Sequence, residues 1–237
     1  MKSRILVTVH SGGSTKKSNS IEYLEQACLE QPDILEVDVR SSRDGKIVLW
    51  HDEHLPHSVL PIKDLAYDAI QAAHPSLLSL QTVLKMCCKS GIQVNLDIKM
   101  REAIEPVHTL LFAHECRNQV IFSGCQEDEI SDIHRLLPGC KVLFNADRYK
   151  REQPYAEFAA QMLSRTLDCR AYALNICHED VQPYLVESCK ARDIPVFVWT
   201  VDDPVRMEEL IGMGVDSITT HDVNLLKTVI SNVGELK

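Results

Sequence analysis

Glu36 and Asp38, two residues apart in the apolar run from Ile34 to Val39, are side chains whose types and spacing can do chemistry. Side chains alternate between the two faces of an extended strand. The two carboxylates therefore project together, while Leu35, Val37 and Val39 project the other way. Paired acids repel and lose hydration, so they call for a cation between them, a shared proton, or a basic partner. After a turn at Asp44-Gly45 the same stretch closes on His51. The segment QVNLDIK repeats the logic: Asn95, Asp97 and Lys99 share one face, and Val94, Leu96 and Ile98 the other. With Asp97 added, the acids suit an oxygen-preferring divalent cation, Mg2+ or Ca2+.

His10, which follows ILVTV, supplies a second imidazole beside His51. Two imidazoles flanking a metal-bound phosphate can share general acid and base roles, because the ring titrates near neutrality. Lys99 either pairs with Asp97 or binds a phosphate oxygen as a point charge, and phosphate is the preferred reading. Trp199 closes the run VFVW and reads equally well as core or as a platform for a ligand. His54, His57 and His74 lie in irregular sequence and are assigned to surface or loop.

Elements must bring these residues together. Strands are expected at Ile5–Val9, from Ile34 through the Lys46–His51 extension, at Gln93–Lys99, and then at 119–123, 141–145, 171–176, 195–201 and 216–220. Helices alternate with them. Asn19 or Ser20 caps one that stops before Pro32, and Ser79 caps another that runs through Cys88 to a stop at Gly91. Further helices are expected at 127–137, 155–167 and 181–192, after Pro204 at an N1 position, and from about Asn224. The stretch 52–75 reads as irregular. Strand–helix alternation in 237 residues favours one (β/α)8 TIM barrel spanning residues 1–237. In that fold functional residues lie at the C-terminal ends of strands, where His10, Glu36, Asp38, Asp97, Lys99 and Trp199 fall. No GxGxxG follows a strand, which counts against a dinucleotide-binding sheet.

Composition bounds the partners. Apolar residues make up 45% and charged residues 25%, as in ordinary globular domains, and no apolar run approaches the roughly 20 residues of a membrane span. A formal charge of −9 disfavours nucleic acid as a partner and leaves a small molecule as the expected one. ILVTV is shorter than a signal-peptide core, so a cytoplasmic location is expected. The 9 cysteines are scattered without a CxxC pair and read as reduced, mostly buried thiols.

Taken together, these segments resemble the glycerophosphodiester phosphodiesterase family over nearly the whole chain. His10-Ser11-Gly12 looks like the family's His-Arg-Gly, Asn19-Ser20 like its Asn-Thr helix start, and Glu36-Val37-Asp38-Val39 like its Glu-x-Asp-Val strand. Asp44-Gly45 and the run His51 to Leu55 fall in register. NLDIK, VFVWTVDD and GVDSITTHD resemble later family strands. The resemblance implies a TIM barrel binding one divalent cation through Glu36, Asp38 and Asp97, with His10 and His51 as acid/base pair. It also implies a phosphodiester substrate touching Lys99, Trp199 and Ser11. The glycerol hydroxyl would attack phosphorus to give a cyclic phosphate, which water then opens. Lysophospholipase D-like action and non-catalytic binding of a phosphometabolite are the alternatives. The chain departs from the family in four places: Ser11 stands for the arginine, Ser18 for a glutamate, His221 for an aspartate, and Asp97 where many members have glutamate.

Overall fold

The computed structural model describes residues 4–10, 20–112 and 118–235. Among these described residues nine strands run as β1 (Leu6–His10), β2 (Ile34–Ser41), β3 (Ile47–Leu49), β4 (Gln93–Ile98), β5 (Val120–Cys125), β6 (Lys141–Asn145), β7 (Ala173–Cys177), β8 (Val196–Trp199) and β9 (Ser217–Thr220). All except β3 pair in parallel, and β1 hydrogen-bonds to both β2 and β9, which closes the barrel. The TIM-barrel expectation holds.

The two faces of the barrel wall carry different chemistry because side chains alternate. Outward-facing Val7, Val9, Leu35, Val37, Val39, Leu96, Phe122, Phe144, Leu174 and Val198 belong to one core shared with the surrounding helices. Inside, Ile34, Ile121, Leu143, Ala173 and Phe197 form a separate apolar plug with Leu6 against it. These residues come from the early positions of their strands. One or two steps further along the same inward face stand Glu36, Asp38, Asn95, Asp97, Ser123, Asn145, Asn175 and Thr219. The barrel is thus oily at its N-terminal end and polar at its C-terminal end.

The helices are α1 (Ile21–Leu29), α2 (Tyr67–Ala73), α3 (Leu80–Ser90), α4 (Ile104–Phe112), α5 (Glu127–Leu136), α6 (Tyr155–Asp168), α7 (Pro183–Lys190), α8 (Pro204–Met213) and α9 (Val223–Glu235). Ser20 caps α1 by accepting from the Tyr23 N–H. Asn19, the alternative cap, lies outside the described residues. Ser79 caps α3, and Gly91 ends it in the left-handed region at φ 69°.

The Lys46–His51 extension continues the β2 region beyond the Asp44-Gly45 turn, as expected, and there β3 folds back antiparallel on β2, pairing Leu49 with Val39. The structure amends the reading of the stretch 52–75, which is more ordered than its sequence suggests. It carries a bridge between His54 and Pro61, a 3-10 turn at Ile62–Asp64, and α2. Its apolar residues are too sparse to show a period, yet Val48, Leu55, Ile62 and Ile70 meet in a small core of their own.

Gly124, at φ +72° in β5, marks a break in the β5–β6 register between Phe122 and Cys125. A Cβ there would overlap the Asp97 carboxylate and stand 2.5 Å from the Ile98 carbonyl oxygen. A left-handed conformation alone costs a non-glycine residue about 1–2 kcal/mol. Gly124→Ala is therefore expected to lower stability by about 2 kcal/mol or more in urea denaturation. A change below about 0.5 kcal/mol, the scatter of neutral surface substitutions, would contradict this account of the close approach.

Candidate active site

Glu36, Asp38 and Asp97 converge at the polar end of the barrel because their strands are adjacent and in step. Asp38 lies directly across from Asp97 in the β2–β4 ladder, and Glu36 lies across from His10 in the β1–β2 ladder. One carboxylate oxygen from each acid lies within 4.8 Å of the other two. Glu36 and Asp38 are buried, and Asp38 is 0% exposed. Such burial demands charge compensation, and Lys99 provides part of it. Its Nζ is 2.5 Å from Asp97 Oδ2 and 3.0 Å from Asp38 Oδ1. Burial pulls the Lys99 ammonium down, but Asp97 and Asp38 outweigh it and hold the group above its ordinary range. Asp38 Oδ2 is buried and accepts no hydrogen bond among the described residues. An unpaired buried carboxylate oxygen beside two more acids fits a cation-binding donor set.

His10 stands over this cluster with Nε2 3.9 Å from Glu36 Oε2. The Tyr23 hydroxyl donates to the His10 carbonyl at 2.5 Å, so α1 fixes the end of β1. Burial first, and His221 second, push the His10 ring down to about 4, which leaves it neutral at pH 7. His51 is different. It is 56% exposed, and its Nδ1 is 2.8 Å from Asp52 Oδ1. Arg40 grips the His51 carbonyl through Nε at 3.1 Å and through a terminal nitrogen at 2.7 Å.

One cavity of about 320 Å³ takes in His10, Glu36, His51, Asp97, Lys99 and Trp199. The Trp199 indole N–H has no partner among the described residues. Beneath them Asn95, Ser123, Asn145 and Asn175 form a polar floor. Asn95 donates to Ser123 Oγ at 2.9 Å, and Asn175 donates to Asn145 Oδ1 at 3.0 Å. Seven of the eight residues nominated from the sequence are thus brought to one end of the barrel; Ser11, like Ser18, lies outside the described residues.

The profile of the Glycerophosphoryl diester phosphodiesterase family matches residues 10–225. The chain belongs to this family. A curated member from Caldanaerobacter subterraneus subsp. tengcongensis, named glycerophosphodiester phosphodiesterase, is 25% identical over 98% of this chain and 100% of its own. The crystal structure of a glycerophosphodiester phosphodiesterase from Thermotoga maritima is 26% identical, with a TM-score of 0.75 over 95% of this chain and 98% of that one. A phosphodiesterase from Oleispira antarctica, solved with the product sn-glycerol-3-phosphate, shares the fold at a TM-score of 0.79 and 19% identity, covering 95% of this chain and 96% of that one.

Two features of this glycerophosphodiesterase-family site were not picked out from the sequence. Arg40 continues the Glu36, Asp38 alternation by one more step, so its inward face was open to reading. The floor residues Asn145 and Asn175 come from later strands, and only the barrel register brings them beside Asn95, which shares the face of Asp97 and Lys99.

The Lys99 ion pairs predict a stability effect. Lys99→Met keeps the stem but leaves Asp38 and Asp97 without their cation, and breaking buried pairs costs about 3 kcal/mol or more. Urea denaturation at pH 7 in chelator should show a loss of that size. An unchanged midpoint and slope would mean that the acids do not depend on Lys99.

Proposed function

We propose that the protein hydrolyses glycerophosphodiesters to an alcohol and a glycerol phosphate, using one divalent cation and the His10–His51 pair. The observation that carries this reading is the cluster of Glu36, Asp38 and Asp97 in one cavity with two histidines and Lys99. Family membership supports the reaction class, and the relatives named above are phosphodiesterases.

The all-oxygen donor set of Glu36, Asp38 and Asp97 suits Mg2+ or Ca2+ equally, and both retain water or substrate oxygens beside carboxylates. When bound, such an ion neutralises phosphate charge and makes phosphorus more electrophilic. Lys99 adds a fixed positive charge next to the same acids and meets a phosphoryl oxygen as a point charge. Neutral His10 is suited to accept the proton of the attacking glycerol hydroxyl. Exposed His51, steadied by Asp52 and by Arg40 on its carbonyl, is suited to protonate the departing alcohol. Water then opens the cyclic phosphate with the two roles exchanged. The Trp199 indole offers its N–H and its ring face to the substrate.

Two measurements test this reading. Glycerophosphocholine should release choline in Mg2+ or Ca2+, stop in chelator, and resume on adding the ion back. His51→Ala should lower kcat about 10³-fold without unfolding, the scale of general acid–base catalysis. Absence of metal-dependent product from glycerophosphodiesters and lysophospholipids alike would leave a phosphometabolite-binding barrel. Separately, Mg2+ or Ca2+ should raise the melting temperature of the wild type and not of Asp38→Asn, since a ligand bound only by the folded state stabilises it. An equal rise in both would remove Asp38 from the binding set.

A further inference from the structure

We propose that His221, oriented by Asp202, is a specificity-determining residue that makes a hydrogen bond with the terminal hydroxyl of a glycerol phosphate moiety. This rests on the phosphodiesterase reading above. The His221 ring stands edge-on to His10, with centroids 4.8 Å apart and planes at 63°. Asp202 holds the residue at two points and its neighbour Thr220 at a third. Its Oδ2 is 2.7 Å from His221 Nδ1, its Oδ1 accepts the His221 backbone N–H at 2.9 Å, and Oδ1 also accepts the Thr220 hydroxyl at 2.9 Å. Partial burial pushes the Asp202 carboxyl up, but these bonds outweigh it and hold the group below its ordinary range.

An ionised carboxylate only accepts hydrogen bonds, so the proton on the 2.7 Å contact belongs to His221 Nδ1. That leaves Nε2 as the ring nitrogen open to a substrate hydroxyl, which can donate to it or accept from it. At 41% exposed, the side chain is reachable from the barrel mouth.

The layout of the mouth says which part of a substrate it meets. β1 and β9 are neighbours, so His10 and His221 stand side by side, whereas His51 is carried by the segment after β3, beside β2. In-line displacement puts attacking and leaving oxygens on opposite sides of phosphorus. The leaving alcohol carries the headgroup and needs an open exit, which the exposed His51 side offers. The glycerol is left on the His10 side, with His10 at the hydroxyl nearer phosphorus and His221, whose ring lies 4.8 Å from that of His10, at the rim beside it and assigned to the terminal hydroxyl. A site that hydrogen-bonds a hydroxyl discriminates against the analogue lacking it, because its own polar group is then left unpaired.

The test is calorimetric titration with sn-glycerol 3-phosphate and with 2-hydroxyethyl phosphate, which lacks the terminal hydroxymethyl group, in Mg2+. Wild type, His221→Phe and His221→Asn are compared; Phe keeps the ring against His10, and Asn keeps an N–H for Asp202 but withdraws Nε2. The wild type should prefer glycerol 3-phosphate about tenfold, the scale of one net hydrogen bond. Both variants should lose that preference by weakening glycerol 3-phosphate alone. If either folded variant keeps the preference, or if both ligands weaken equally, the assignment of His221 to the hydroxyl is overturned. If the wild type binds neither phosphate, the phosphodiesterase reading itself fails and takes the inference with it.

Discussion

The interaction on which the site depends is the contact of one ammonium with two carboxylates inside a barrel. Lys99 joins Asp38 and Asp97 across the β2–β4 ladder, where the two acids face each other in register. Each group alone would be costly at this depth, since ions are poorly solvated there. Together they hold negative charge at a fixed place, and Asp38 Oδ2 adds a buried oxygen that a cation can take up. Register does the positioning. A slip of one residue in β2 or β4 would turn these acids outward into the helix-packed core and bring Val37 or Leu96 into the cavity.

The same alternation explains how much was readable beforehand. Glu36 with Asp38 and Asp97 with Lys99 stand out because a polar residue at every second place in an otherwise apolar strand has a single geometric meaning. The strand–helix rhythm follows from equally local signals, such as Ser79 and Gly91 at the two ends of α3. The rest required three dimensions. The helix α2 owes its place to packing of Ile70 on Val48, Leu55 and Ile62, and no period in residues 52–75 betrays it. The Asp202–His221 pair joins the ends of the paired strands β8 and β9, and its contact with His10 needs the β1–β9 pairing that closes the barrel. Gly124 is readable as a glycine in a strand, yet its reason, the nearness of Asp97, belongs to the adjacent stave.

The two catalytic candidates also differ in what supports them. His10 ends a barrel strand and is held by α1 through Tyr23 and flanked by His221. His51 hangs from the β3 arm, tied to the barrel through Arg40 and surrounded by exposed acids. Burial lowers the proton affinity of His10, while His51 stands exposed at the same cavity, so one residue type meets the site in two environments.

The small core of Val48, Leu55, Ile62 and Ile70 gives this asymmetry a thermal meaning. It is a satellite with few members, outside the main apolar core, and the His51 segment is continuous with it. Such a unit opens locally at a lower free energy than the barrel as a whole. Heating should then disperse the rim that bears His51 while the staves remain closed. The first part of the molecule to yield to heat would be this rim, held by four buried side chains and the half-buried Trp50, Leu65, Tyr67 and Leu77, rather than the barrel itself.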